Sequence, residues 1–248
     1  MQRAPFEPST GDARVEQLRT LVRSRLAFLI PFWRKARRLA YRGRSPEETF
    51  TNIYRRNRWG DVESRSGAGS NREQTAAVRA ALPRLLRELG CCRLLDIPCG
   101  DFYWMNLVEL EAEYIGGDIV PELVGCNQRL FGGQRRRFVR LDIVHDSLPS
   151  ADVLLCRDCL VHLSHDQVKD AMRNVKRSAI TYLLTTTFVR REANADIPTG
   201  EWRPLNLQRP PFDFPPPLRL IDEQCPHPEF RDKALGLWRV ADIPQWQG

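Results

Sequence analysis

Short apolar runs that alternate with polar or helical stretches are the feature that most limits how this chain can fold. Runs with the length of strands lie at residues 93–97, 113–117, 137–141, 153–156, 180–186 and 235–240. Apolar residues recur at helical spacing over residues 74–89 and 167–175. Strands that alternate with helices form parallel sheets covered on both faces. The sequence therefore predicts an α/β fold with a doubly wound, mostly parallel sheet and helices on both faces.

The first 60 residues differ from the rest in charge. Residues 1–60 hold 14 Arg or Lys and 5 Asp or Glu, whereas residues 61–248 hold 24 and 26. From Asp12 onward, apolar residues recur at three- and four-residue spacing, which predicts an amphipathic helix. Ser45 and Pro46 suit the cap and first turn of a second helix. We predict a basic helical arm over 1–60 and a domain over 61–248, with an insert at about 190–232.

The sequence leaves two interpretations of the arm open. It packs on its own domain or on a second subunit, as in a homodimer, or it lies on an anionic membrane surface. The apolar run at residues 26–33 contains Pro31 and is shorter than the roughly 20 apolar residues that span a bilayer. The slight negative charge of residues 61–248 disfavours nucleic acid as a partner.

The cysteines indicate a reducing compartment. Their number is seven, which is odd, and the sequence shows no signal-peptide pattern. Both features favour free thiols over a disulfide framework. We therefore expect a cytoplasmic protein, peripheral to the membrane if the arm binds lipid.

A tight turn follows the first predicted strand. In the stretch RLLDIPCGDFYWM the strand ends at Asp96, and Pro98, Cys99 and Gly100 form the turn. Residues 102–110 are predicted to start a helix. In open parallel sheets, ligands bind at the carboxyl ends of strands, where a small residue lets the backbone approach the ligand. Gly100 is the candidate for that small residue.

Two further acids follow the next two predicted strands. Asp118 ends the second strand, about 20 residues beyond the turn, where dinucleotide-binding folds place an acid for the ribose hydroxyls. Asp142 follows the third strand and could accept from an adenine amino group. The alternative is that each acid caps the turn or helix after it.

The successive motifs LLDIPCGD, YIGGDIV, RLDIVHDSLP and ADVLLCRDCLVHL resemble those of class I methyltransferases that use S-adenosylmethionine (SAM), over about residues 75–190. The resemblance implies a Rossmann-like sheet of seven strands and SAM as the cofactor. Pro98 and Phe102 stand where this family usually has glycine, so the turn is expected to be stiffer. A chain that binds NAD would need a third glycine in the turn.

The resemblance also implies which residues hold SAM. In the family, the first acid and the turn hold the methionyl part, the second acid holds the ribose and the third holds adenine. The cofactor-binding residues so implied are Asp96, Pro98, Cys99, Gly100, Asp118, Ile119, Asp142, Ile143, Cys156, Arg157 and Arg65.

The end of the fourth strand supplies candidates for the chemistry. Methyl transfer requires alignment of the nucleophile with the methyl group and, for a poor nucleophile, removal of a proton. His162 follows Asp158 by four residues, so a helix would place both on one face and the acid would orient the imidazole. We predict that His162 acts as a base or orients the substrate. The alternative is a histidine packed under the sheet.

A zinc site is a weaker interpretation of the same region. Cys156 and Cys159 could combine with Cys225 and His227 to give four ligands. The first pair lies inside the methyltransferase motif and the second pair is far along the chain. No metal is therefore expected.

Two segments outside the strands are candidates for shaping a substrate pocket. The loop at residues 59–70 contains Trp59 and Arg65, which suit a lid or a clamp for the SAM carboxylate, or else a plain connection. Glu201, Trp202 and Arg203 in the insert combine a ring with hydrogen-bonding groups, as a sugar-like acceptor requires. We expect an O- or N-methyltransferase for a small-molecule or glycan-like acceptor. The alternatives are an RNA methyltransferase and a non-catalytic accessory protein of the same fold.

Overall fold

The structure is a computed structural model that describes residues 43–246 of the 248-residue chain. Residues from Arg44 onward form one compact unit. The predicted helix that begins near Asp12, the apolar run at 26–33 and the expected membrane contact lie outside the described residues. Among the helices of the described part, each is too short or too polar to span a bilayer.

A seven-stranded sheet forms the centre of the unit. The strands are β1 Arg93–Asp96, β2 Glu113–Asp118, β3 Arg136–Arg140, β4 Ala151–Cys156, β5 Ile180–Phe188, β6 Arg219–Asp222 and β7 Lys233–Arg239. They lie in the order β3, β2, β1, β4, β5, β7, β6. The first five run parallel, and β7 runs antiparallel to both β5 and β6. The predicted mostly parallel, Rossmann-like sheet of seven strands is confirmed.

Helices cover both faces of this sheet. They are α1 Pro46–Arg55, α2 Ala76–Glu88, α3 Pro121–Phe131 and α4 His165–Arg177. Side chains alternate across a strand, so Leu95 and Leu154 join the core that contains α4, whereas Leu94 and Val153 join the core that contains α2 and α3. Burial on both faces explains why the central strands are continuous apolar runs in the sequence.

Two elements differ from the prediction. The prediction of a helix that starts in residues 102–110 is wrong, since only the short 3₁₀ helix Met105–Leu107 forms there. Phe102 has a φ of 58°, a left-handed conformation that an α-helix does not contain. The sequence analysis does not predict β6, because this short edge strand is largely exposed and lacks apolar alternation.

Helix α1 begins at the predicted cap and belongs to the compact unit. The Ser45 side chain accepts from the Glu48 amide, and the Glu48 carboxylate accepts from the Ser45 amide, which is a capping box. Phe50, in the middle of this helix, packs against both cores. Helix α1 is therefore part of the compact unit that contains the sheet, and the division of the chain into an arm and a domain stays a prediction.

Candidate functional site

The main cleft lies at the carboxyl ends of β1 to β4, where open parallel sheets bind their ligands. Helix α1 and the loop at 59–70 complete its wall. The predicted residues that line it are Asp96, Pro98, Cys99, Gly100, Asp118, Ile119, Asp142, Ile143, Arg157, Asp158, His162, Trp59 and Arg65.

Two predicted site residues are corrected to structural ones. Cys156 is fully buried at the last position of β4, where its carbonyl oxygen accepts from the Thr185 hydroxyl at 2.7 Å. The Arg203 side chain is buried too, and its guanidinium donates to three backbone carbonyl oxygens. Arg203 therefore holds the insert against the segment after β4, and neither residue faces the main cleft.

Hydrogen bonds tie the turn after β1 to the end of β2. The Gly100 amide donates to Asp118 Oδ2 at 3.1 Å, and the Val120 amide donates to Asp118 Oδ1 at 3.0 Å. Burial raises the pKa of Asp118 to about 6, although both amides favour its ionised form. A carboxylate has about four lone-pair positions, so Asp118 retains acceptor capacity for a ligand in the main cleft.

Gly100 lets the backbone form the wall of the main cleft. Its φ is 53°, in the left-handed region that glycine adopts most easily. A Cβ atom at this position would lie 2.3 Å from Ser66 Oγ. A side chain is therefore excluded unless the loop that contains Ser66 moves.

Asp142 has the capping role, one of the two that the sequence left open. Its carboxylate accepts from the Val144 amide at 2.8 Å and lies 2.8 Å from His145 Nδ1, so it caps the turn after β3. It also lines the main cleft beside the apolar side chains of Leu141, Ile143 and Val144. An acid beside an apolar wall suits a flat heterocycle with an amino group.

A buried pair lies next to the turn and was missed by the sequence analysis. The Tyr114 hydroxyl donates to Asp96 Oδ2 at 2.6 Å, and both side chains are buried. Burial raises the pKa of Asp96 to about 7, while the hydrogen bond from Tyr114 opposes this shift. Only the pairing of β1 with β2 brings the two residues together, and no local pattern indicates it.

Asp101 fastens one end of the loop at residues 61–70, which we name the cover loop. Its carboxylate accepts from the Ser64 hydroxyl at 2.9 Å and from the Arg65 amide at 2.8 Å. The Arg65 guanidinium lies 5.6 Å from the centroid of the Tyr54 ring and reaches the main cleft. The cover loop is thus a fixed wall of the cleft, not a plain connection.

We expect Asp101→Ala to accelerate hydrogen exchange of the cover-loop amides about fivefold. The reason is the loss of hydrogen bonds to one carboxylate, with a net contribution of about 1 kcal/mol. Mass spectrometry of a peptide that spans residues 61–70 measures it. The control is Glu109→Ala, which removes an exposed acid at the opposite end of the sheet. Unchanged exchange in Asp101→Ala would show that other contacts hold the loop.

Four charged side chains form a buried network beside the main cleft. Arg157 donates to Glu223 at 2.6 Å, Lys233 donates to Asp158 at 2.6 Å, and Lys233 lies 3.4 Å from Glu223. Arg157 also donates to the Gly69 carbonyl oxygen at 2.7 Å, which fastens the second end of the cover loop. Burial alone would raise the pKa of Asp158, but Lys233 and Arg157 outweigh it and lower this pKa to about 2. The two cations and two carboxylates balance in charge.

The orientation of His162 differs from the prediction. Asp158 has a φ of 52°, and only the short 3₁₀ helix Leu160–His162 follows it, so the two side chains do not share a helical face. His162 Nδ1 instead lies 2.9 Å from the backbone carbonyl oxygen of Glu201. A carbonyl oxygen can only accept, so Nδ1 carries the proton and Nε2 carries the lone pair of the neutral ring. Glu201 thus acts through its backbone, and its carboxylate does not line the cleft.

Burial keeps His162 neutral, and an aromatic contact holds its ring. Its ring stacks on Trp59, with centroids 4.9 Å apart and an interplanar angle of 28°. Burial lowers the pKa of His162, although the Glu201 carbonyl and the charge of Asp158 oppose this shift. The neutral imidazole, which can accept a proton at Nε2, is therefore favoured at neutral pH.

A second cavity, which we name the side cavity, adjoins the main cleft. Trp59, Ser66, Asp158 and His162 line both spaces. Trp202, predicted to contact the substrate, lines the side cavity and not the main cleft. His162 therefore lies where a ligand in one space can meet a ligand in the other.

The residues weighed as zinc ligands do not assemble. Cys225 and His227 line the side cavity, whereas Cys156 and Cys159 do not. Within residues 43–246, no three His, Cys, Asp or Glu side chains are grouped as metal ligands would be.

The glycine turn after β1 and the acids after β2 and β3 meet in one cleft. The sheet that carries them has seven strands, and β7 is antiparallel to both of its neighbours. This is the arrangement that the resemblance to class I methyltransferases implies. No protein-family model matches its sequence, and no curated protein does so either.

Solved methyltransferase structures are similar to part of this chain at low identity. The N-methyltransferase NodS from Bradyrhizobium japonicum, bound to S-adenosyl-L-homocysteine (SAH), matches 55% of this chain and 74% of its own, with a TM-score of 0.45 and 17% identity. Human N-acetylserotonin methyltransferase, in complex with SAM, matches 59% of this chain but only 43% of its own, with a TM-score of 0.43 and 19% identity. Magnesium protoporphyrin IX methyltransferase from Synechocystis, with bound SAH, matches 58% of this chain and 68% of its own, with a TM-score of 0.42 and 18% identity. The chain thus spans less than half the length of the human enzyme, and its ligands must be inferred from its own residues.

Proposed function

We propose that this chain is a SAM-dependent methyltransferase that methylates an oxygen or nitrogen of a small-molecule or glycan-like acceptor. The observation that carries the proposal is the position of His162. Its proton-accepting Nε2 belongs to a ring that lines both the main cleft, with its acids and glycine turn, and the side cavity. Two adjoining spaces with a base between them suit the transfer of a group from one ligand to another.

The residues of the main cleft fit SAM in their chemistry. Asp118 retains acceptor capacity that would hold the two ribose hydroxyls, and Asp142 with Ile143 would hold adenine against the apolar wall. Gly100, which lines the cleft, would lie against the methionyl part, with Arg65 near its carboxylate.

When bound, SAM supplies a methyl group on a positively charged sulfur, and the bonding pair of the broken carbon–sulfur bond stays on sulfur. His162 provides the complementary step. Its Nε2 takes the proton from the acceptor hydroxyl or amine as the oxygen or nitrogen bonds to the methyl carbon, and then releases it to solvent. The Glu201 carbonyl keeps the imidazole in the required tautomer, and the stacked Trp59 ring restricts its rotation.

Calorimetry with SAM and with SAH tests the cofactor part of this proposal. We expect the intact chain to bind one molecule of either ligand, and Glu109→Ala to bind with the same affinity. A chain that binds neither would contradict the proposal. A chain that binds both but methylates no small molecule or glycan would favour an RNA methyltransferase or a non-catalytic accessory protein instead.

A further inference from the structure

We propose that the side cavity binds the methyl acceptor and that this acceptor is a neutral, polyhydroxylated ring of the pyranose type. The acceptor role rests on the proposed function, because only a methyltransferase needs a second ligand beside SAM. The chemical class follows from the charges, the hydrogen-bonding groups and the aromatic rings of the cavity.

The charges of the cavity leave no excess of either sign. Lys233 and Asp158 line it, and they bind each other at 2.6 Å. Behind them, Arg157 and Glu223 complete a buried set of two cations and two carboxylates. An anionic acceptor would have to compete with Asp158 and Glu223 for Lys233, and a cationic acceptor would have to compete with Lys233 for Asp158. A neutral acceptor leaves all these pairs intact.

The cavity nevertheless has many hydrogen-bonding groups. Gln74 and His227 line it, with Nε2 atoms 3.5 Å apart, and they add a neutral amide and an imidazole to Asp158, Lys233 and His162. A purely apolar acceptor would remove water from the donors and acceptors that these groups do not use with one another, which is unfavourable. Several hydroxyl groups on one ligand would provide partners that both donate and accept.

Aromatic rings form another part of the cavity wall. The Trp202 ring meets Phe230 at 4.9 Å and Phe188 at 5.9 Å between centroids, both edge to face. Trp202 remains 41% exposed even so. The Arg191 guanidinium lies 5.9 Å from the centroids of both phenylalanine rings, so these two rings already contact a cation. Trp202 is the most exposed of the tryptophan and phenylalanine rings that line the cavity, and so the most accessible to a ligand.

A pyranose ring matches both walls. Its carbon–hydrogen face is apolar and can pack on the Trp202 ring, while its hydroxyl groups project sideways toward hydrogen-bonding side chains. A hydroxyl at the edge of such a ring would reach the boundary that His162 shares between the side cavity and the main cleft. The oxygen of this hydroxyl would be methylated, and its proton would pass to His162 Nε2 and then to solvent.

Saturation-transfer difference NMR on the intact chain with SAH tests the inference. The probes are methyl α-glucopyranoside, methyl α-mannopyranoside and methyl α-rhamnopyranoside, with catechol as an aromatic probe and ethanolamine as a cationic one. We expect at least one glycoside to bind. Trp202→Ala should lower the affinity for that glycoside about tenfold, because the substitution removes the apolar ring face. Trp202→Phe should retain most of the affinity, and Glu192→Ala, which removes an exposed acid outside the cavity, should change nothing.

The outcomes separate this inference from the proposed function. If SAH binds by calorimetry but no glycoside binds, or if catechol or ethanolamine binds in a Trp202-dependent manner in place of the glycosides, the acceptor class is wrong. Glycoside binding that is the same in Trp202→Ala as in the unchanged chain would also overturn it. If a glycoside binds through Trp202 while SAH does not bind, the cavity is a sugar site and the methyltransferase proposal fails instead.

Discussion

His162→Ala is expected to lower the rate of methyl transfer by about a hundredfold or more while the affinity for SAM stays near normal. General-base catalysis typically contributes about 10²- to 10⁴-fold, and the ring of His162 lines the boundary of the two cavities without bonding to the acids after β2 and β3. The measurement is turnover of the identified acceptor with radiolabelled SAM, together with calorimetry of SAM binding.

The pH dependence of this reaction provides a second readout. The base works only as the neutral imidazole, and burial lowers its pKa below the ordinary value of 6.5. Turnover at saturating SAM should therefore be constant at neutral pH and fall as the pH drops below 6.5, with no such fall in His162→Ala. Added imidazole should restore part of the activity of His162→Ala, because it can replace the missing base.

Two results would contradict a base role for His162. Loss of SAM affinity and turnover together would indicate a histidine that supports the site through packing on Trp59. Turnover of the unchanged chain that does not fall below pH 6.5 would indicate that His162 only orients the acceptor. In that case, alignment of an already reactive nucleophile becomes the mechanism.

Asp118→Ala is expected to weaken SAM binding about ten- to a hundredfold with little loss of folded protein. A charged hydrogen-bonding partner is worth about 1.5 to 3 kcal/mol, and this carboxylate also holds the Gly100 and Val120 amides in place. Calorimetry measures the affinity, and thermal unfolding checks the fold. Asp118→Asn keeps one acceptor oxygen, so its affinity for SAM should lie between those of the unchanged chain and Asp118→Ala.

The raised pKa of Asp118 makes this binding depend on pH. The ionised carboxylate predominates above about pH 6, so SAM affinity should be constant above that value and decrease as the pH falls through it. Asp118→Asn should lack this decrease, whereas Glu109→Ala should keep it. A folded Asp118→Ala variant with unchanged affinity would remove the ribose assignment and with it the main support for SAM in this cleft.

The site residues that could be predicted from the sequence are those that directly follow a strand. Asp96, Gly100, Asp118 and Asp142 each lie at or just beyond such an end, and all four line the main cleft. Parallel strands bring their carboxyl ends to one edge of the sheet, so local pattern alone was enough to group them. Asp158 and His162 also line this cleft, but their predicted placement on one helical face was wrong, because a left-handed residue and a short 3₁₀ helix replace the expected helix.

The sequence by itself determined the alternation of strands and helices, the glycine turn and the acids after the strands, because periodicity and turn chemistry are local properties. Only the tertiary structure decided the orientation of His162, which depends on a carbonyl 39 residues away. It also decided the charge balance of the side cavity, since Lys233 meets Asp158 across 75 residues. Such contacts arise where β7 pairs with β5 and where the insert folds back on β4, and no spacing in the sequence encodes which residues these long connections bring together.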